Sequence, residues 1–133
     1  MKRLRAIVFD CEHPAALARW WAETLDYQVR EYTPEHLEWL REAGFRGPDD
    51  DPSVVIDDPG GGTHIWFNRV PERKIVKNRV HIDVNLRSAE ELDVLLARGA
   101  SIVRPYGAVP DEDWAIVADP EGNEFCAFPP RDD

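Results

Sequence analysis

A chain of 133 residues, with 26 acidic and 16 basic side chains and a net charge of −10, has room for one domain or for two small halves sharing a core. That charge excludes the basic footprint that nucleic acid or an anionic membrane surface requires, and no apolar run approaches the ~20 residues of a membrane span. Hydrophobic content of 43%, with five Trp, is enough for a real core.

The N-terminal Met1-Lys2-Arg3 precedes only a short apolar run before Asp10, which is not the pattern of a secretory leader. Cys11 and Cys126 read as reduced thiols, and the expected location is cytoplasmic. Residues 4–9 (LRAIVF) read as a buried strand ended by Asp10-Cys11. A helix follows: Pro14 suits its first turn, and Leu17, Trp20, Trp21 and Leu25 recur on one face. The Trp pair reads as core, with the edge of a pocket as the other reading.

Residues 28–32 read as a short strand, and 33–44 as a helix capped by Thr33, begun by Pro34 and ended at Gly44. The run Asp49, Asp50, Asp51 reads as a solvated surface loop rather than a cation site, because no spaced ligands accompany it. Strands are expected at 53–56 and 63–70, joined by an Asp-Pro-Gly-Gly-Gly turn that lacks the Lys-Ser/Thr and the helix of a phosphate loop. Which side chains of 63–70 face inward is left open by that turn.

Residues 80–86 read as a strand. Ser88 and Glu91 form a capping box ahead of a helix carrying Leu92, Leu95 and Leu96, ended by Gly99. Strands at 100–104, 114–118 and 123–128 complete the chain, the last two joined by Asp119-Pro120-Glu121-Gly122, and the polar tail after them is expected to fray.

An internal repeat organises these elements. An offset of 75 aligns Ala6 with His81, Leu17 with Leu92, and Trp20-Trp21 with Leu95-Leu96; an offset of 61 aligns the two Asp-Pro-x-Gly turns. Residues 33–51 take up the difference as an insertion. The reading is a duplicated βαβββ unit, module one at 1–71 and module two at 77–128, within one α+β domain spanning 1–133. Two such half-open sheets bury one face under helices and leave the other for a ligand cleft.

The stretches AIVFDCEHPAALARWW (6–21), WFNRVPERKIVKNRVHIDV (66–84) and DWAIVADPEGNEFCAF (113–128) carry a family resemblance. The chain resembles the vicinal oxygen chelate superfamily, which includes glyoxalase I, extradiol dioxygenases and bleomycin or fosfomycin resistance proteins, and more narrowly its glyoxalase-like domain proteins. The resemblance implies paired βαβββ modules forming an open, cup-shaped mixed sheet, often in a homodimer. It also implies that, in metal-dependent members, each module supplies one ligand from its first strand and one from its last.

Carried over residue by residue, the metal pattern is thin. Ala6 stands at one first-strand position and has no donor, His81 matches the other, and the last-strand position of module two is Cys126, with Glu124 on the same face. His64 can face the cup by alternation. No metal and no cofactor is therefore expected; a divalent ion is the alternative, with zinc on His81, Cys126 and Glu124 as its chemically plausible form.

The expected ligand-binding set is His81, Asp83, Trp66, Asn68, Trp114 and Cys126. His81 acts as base or donor, Asp83 orients it from the same strand face, and the aromatics form walls. Each has a bland counterpart: a satisfied core histidine, a small buried thiol, ordinary aromatic core. The cluster Lys74, Lys77 and Arg79 reads as a solvated linker before it reads as an anion site. The leading expectation is a metal-independent small-molecule-binding protein, ligand-sequestering as resistance-type members are. The second is a lyase or isomerase of the glyoxalase type, with His81 and Glu124 catalytic. The third is an inert dimeric scaffold. No nucleic-acid or membrane partner is expected.

Overall fold

A computed structural model of the protein describes residues 3–130. The elements in chain order are β1 (Ala6–Cys11), α1 (Pro14–Leu25), β2 (Gln28–Val29), α2 (Pro34–Glu42), a 3-10 turn (Pro48–Asp50), β3 (Ser53–Asp57), β4 (His64–Arg69), β5 (Asp83–Asn85), α3 (Glu91–Ala97), β6 (Ser101–Arg104), β7 (Ala115–Ala118) and β8 (Glu124–Phe128). The polar tail expected to fray lies mostly outside the described residues. The chain divides into two compact units, with the boundary between Arg73 and Lys74.

Each unit carries one four-stranded mixed sheet, and the two follow the same plan. Strand order is β1-β4-β3-β2 in the first and β5-β8-β7-β6 in the second. In both, the first and last strands pair in parallel and the other neighbours run antiparallel. A parallel pair needs a crossover between its strands, and the helix with the intervening hairpins supplies it. The α+β class and the duplicated βαβββ topology are thus present in the structure.

The cores follow from periodicity. On α1, Leu17, Trp20 and Trp21 are almost wholly buried together with Ala18 and Ala22, as the i, i+3, i+4 pattern requires. Trp21 meets Phe9 edge-on at 5.6 Å, and Phe9 meets Phe67 at 5.2 Å. The tryptophan pair is therefore core. Along β4, Ile65 and Phe67 are buried while His64, Trp66 and Asn68 stand on the other face, which settles the orientation that the sequence left open. In the second unit Leu95, Val117 and Phe125 form the corresponding interior.

The two Asp-Pro-x-Gly turns are built alike. Asp58 accepts the Gly60 and Gly62 N–H groups (2.8 and 3.1 Å), and Asp119 accepts those of Glu121 and Asn123 (2.9 and 3.0 Å). Such side-chain acceptors mimic a backbone turn. Gly62 leaves room for this acceptor: a Cβ there would lie 2.2 Å from Asp58 Oδ2, so the carboxylate would have to shift from the turn.

Five expectations are corrected. β1 runs on through Asp10 and Cys11, because both pair with β4. β2 is only two residues long. The first strand of the second unit begins at Asp83, so His81 lies just before it, although Cys126 N–H still donates to Ile82 O (3.1 Å). Helix α3 starts at Glu91 without a side-chain cap from Ser88; Glu91 instead reaches back to the Arg87 N–H and guanidinium. The acidic run is not wholly solvated either. Asp51 is 1% exposed and accepts from Tyr32 Oη (2.7 Å) and Ser53 N–H (2.9 Å), since a buried carboxylate needs such partners. The same bond, after burial itself, pushes the Tyr32 hydroxyl well above its ordinary range.

Phe67 on β4 is fully buried and packs on Phe9 of β1. Phe67→Ala should cost about 3–5 kcal/mol in denaturant titration, whereas Val8→Ala, at a position 51% exposed on the opposite sheet face, should cost under about 1 kcal/mol.

Candidate functional site

The second unit presents a cleft of about 470 Å³ lined by side chains of β7 and β8 and of the residues around the start of β5. Pairing in parallel, Asp83 stands directly opposite Cys126. Continuing that register two residues back places His81 opposite Glu124. Alternation brings Cys126 and Glu124 to one face, and Trp114 and Phe128 close the apolar side with rings 5.3 Å apart.

The polar end is a cluster of mutually engaged groups. His81 Nε2 lies 3.4 Å from Asp83 Oδ1, and both side chains are about half exposed. His81 is therefore not a buried core histidine. Cys126 is only 8% exposed. Burial pushes its thiol up, and the negative Asp83 carboxylate, to which the S–H donates a hydrogen bond, pushes it further; Arg104 and Lys77 pull back only in part. A thiol so held is protonated at neutral pH and is a poor nucleophile. His81, Asp83 and Cys126 each offer one donor atom, all within 4.8 Å of one another.

Glu124 has a different role. Asn78 N–H donates to its carboxylate (3.2 Å), and Lys74 Nζ lies 3.5 Å away. Burial works to raise this carboxyl, but the N–H groups of Glu124 and Asn78 and the Lys74 and Lys77 ammoniums outweigh it, holding the group below the usual carboxylate range. Glu124 is a clamped anion with no proton to donate near neutral pH. Arg104 pairs with Glu112, and both line the same cleft.

Of the six residues expected to bind ligand, His81, Asp83, Trp114 and Cys126 line this cleft together with Glu124. Trp66 and Asn68 belong to the first unit. Trp66 lines a separate cleft there, beneath the Arg30 guanidinium (5.8 Å). Asn68 Oδ1 accepts from Ser53 Oγ (2.6 Å), and the residue lines neither cleft. Sequence reasoning missed Phe128, Asn78 and the Arg104–Glu112 pair. Phe128 was findable, being two residues beyond Cys126 on the same face; the Asn78–Glu124 contact spans 46 residues and left no local signal.

Pairing registers also align the two units more closely than the turns do. Val8 and Asp83 are equivalent at the offset of 75, and their partners are Trp66 and Cys126. Hence His64, opposite Ala6, is the counterpart of Glu124, opposite His81. The first unit has one more residue between its turn and this strand than the second, which is why the turn offset misplaces Cys126 by one.

A family model described as a glyoxalase-like domain matches residues 6–128. No functionally curated protein matches the chain in sequence. Among solved structures, a glyoxalase/bleomycin resistance protein/dioxygenase family enzyme from Burkholderia phytofirmans superposes with a TM-score of 0.63 at 17% identity, covering 96% of this chain and 98% of its own. A glyoxalase family protein from Bacillus cereus gives 0.63 at 14% identity, covering 97% and 94%. Fosfomycin resistance protein FosX from Mesorhizobium loti gives 0.59 at 11% identity, covering 96% and 91%. At these identities the likeness is one of fold.

The residues present do not fit the two-ligands-per-module metal arrangement that the resemblance implies. Ala6 has no donor, His64 Nδ1 is taken up by Asp57 at 2.6 Å, and Glu124 is clamped by Asn78 and Lys74.

If Asp83 raises the Cys126 thiol as the geometry indicates, Asp83→Asn should lower it. Alkylation of Cys126 by iodoacetamide at pH 8, followed by peptide mass spectrometry, should be slow in the parent and several-fold faster in the variant. An unchanged rate would remove Asp83 from that role.

Proposed function

This chain belongs to the glyoxalase-like domain family, and on that premise we propose that it is a small-molecule-binding protein whose ligand is held directly by side chains of the second unit's cleft. The observation that carries the reading is the shape and chemistry of that cleft. An aromatic wall, Trp114 with Phe128, faces a polar end made of His81, Asp83, Cys126 and Glu124. Apolar clefts with a few convergent polar groups are the usual form of such sites.

The ligand this favours is flat and mostly apolar, with one group that can exchange hydrogen bonds with His81 and Asp83. Binding independent of metal is supported by Ala6 and by the engagement of Glu124 with Asn78 and Lys74. Sequestration of the ligand, the role that resistance-type members play, needs no more than this. A homodimer is part of the proposal. Ile75, Val76 and Val80 are 75–87% exposed, more apolar surface than a lone linker has reason to show.

One observation favours a second reading, a zinc-dependent enzyme of the lyase or isomerase type. His81, Asp83 and Cys126 offer N, O and S donors within 4.8 Å. Tetrahedral zinc with bonds of roughly 2.0–2.3 Å draws its ligands to within about 4 Å of each other, so small side-chain rotations would close the set. Elemental analysis of protein purified without a metal-affinity column separates the two readings. A stoichiometric ion lost in Cys126→Ser selects the second.

For the leading reading, thermal shift against a metabolite and antibiotic panel including bleomycin and fosfomycin is the test. A ligand present at 100 times its Kd stabilises by about 2.7 kcal/mol, which raises the Tm by several degrees. His81→Ala should abolish that rise while leaving the unliganded Tm within about 2 degrees, because the side chain is half exposed. A flat response across the panel would favour an inert scaffold.

A further inference from the structure

Two exposed features lie outside the cleft chemistry. The first is helix α2, which the insertion at 33–51 adds to the first unit. Of its nine residues only Leu40 is buried, although a short helix in water depends on packing an apolar face. Glu35, Glu38, Trp39 and Glu42 follow the i, i+3, i+4, i+7 spacing and so share one face. Trp39 is 54% exposed on it, and the Phe45 ring lies 6.5 Å away, centre to centre.

That face is acidic. Residues 33–51 hold six acids against two arginines. Both arginines are engaged inside the insertion, Arg41 with Glu38 and Arg46 with Asp50 (3.5 Å). Glu35 and Glu42 are exposed and have no basic partner among the described residues.

The second feature has the opposite character. Residues 72–80 (ERKIVKNRV) hold four bases against one acid, in a chain whose net charge is −10. Ile75, Val76 and Val80 are 75–87% exposed. Lys74 turns to Glu124 (3.5 Å). Arg79 is exposed, and Arg73 keeps 80% of its side chain exposed beside Glu12 (3.7 Å).

From this match we infer that α2 of one copy docks on residues 73–80 of a second copy of the same chain. The inference rests on the homodimer proposed above and assigns the faces that meet in it. A guanidinium from Arg73 or Arg79 suits the face of Trp39. The aliphatic side chains of 75, 76 and 80 lose water against the same ring and Leu37. Exposed ion pairs are weak one at a time, so apolar contact holds the copies together and charge selects which faces meet. Two copies joined by like faces would instead set carboxylate against carboxylate, or guanidinium against guanidinium. A nine-residue helix is only about 14 Å long, short for the roughly 1,200–2,000 Å² that a stable pair buries. The contact is therefore made twice, α2 of each copy on 73–80 of the other, in a closed two-fold pair.

The test is sedimentation equilibrium of the full chain at low salt, with two charge-reversal variants. One is Glu35→Lys/Glu42→Lys on α2, the other Arg73→Glu/Arg79→Glu. All four positions are exposed, so each variant should keep the parent fold by circular dichroism. The parent should be a dimer. Each variant alone meets like charge at both contacts, and its dimer should weaken by roughly tenfold or more. An equimolar mixture should recover the parent affinity, because in the mixed dimer one contact is parental and the other has its charges exchanged. Trp39→Ser should weaken the dimer as well. A dimer indifferent to either charge variant would overturn these faces and leave the homodimer standing. Two weakened variants that do not rescue each other would overturn contact between copies at these faces. A monomeric parent would overturn both the faces and the homodimer.

Discussion

Parallel pairing of the first and last strand in each unit is the constraint on which the rest depends. It makes β4 and β8 central strands, each with a partner on either side. A central strand cannot slip by one residue without turning its buried face to water, and Phe67 and Phe125, both almost wholly buried, hold the two strands in place. Once that face is fixed, the opposite face is fixed with it. His64 and Trp66 in the first unit, and Glu124 and Cys126 in the second, are cleft residues because their neighbours are core residues.

The same pairing explains how one plan supports two chemistries. At matched register positions the first unit places Ala6, His64 and Trp66, and the second places His81, Glu124 and Cys126. A duplicated unit keeps its interior pattern because packing demands it. The positions facing the clefts are under no such demand, and here they have separated into a basic, aromatic surface and a compact cluster of histidine, carboxylates and thiol. None of the equivalent positions carries the same side chain.

Within the second cleft, charge is met locally. Asp83 serves both His81 and the Cys126 thiol. Asn78 and Lys74 hold Glu124, and Arg104 is paired with Glu112. Partly buried polar groups are costly unless such partners are present. A cluster arranged this way is ready to exchange hydrogen bonds with a ligand. Its thiol is held protonated and its Glu124 is held ionised, and so the two are assigned opposite roles by their surroundings rather than by their residue types.

Much of the fold was legible without coordinates. Helix α1 announces itself through Leu17, Trp20 and Trp21, and the twin turns through Asp58 and Asp119, because helical periodicity and turn chemistry are local properties. The repeat followed from setting these signals in order. What was not legible depends on partners distant in sequence. Asp51 looked like a solvated acid until Tyr32 was seen to donate to it. Trp66 and Cys126 occupy matched positions, yet the turn alignment separates them by one residue, since a single extra residue in a loop leaves no mark on hydrophobic patterning. His81 reads from the sequence as a strand residue but lies just before β5, and whether it is core or cleft is decided by the chain packed around it. The sequence by itself determined which elements form and that they form twice. Tertiary structure decided which face of each strand meets a cleft and which charges are already spoken for, because burial and pairing energies belong to neighbours in space.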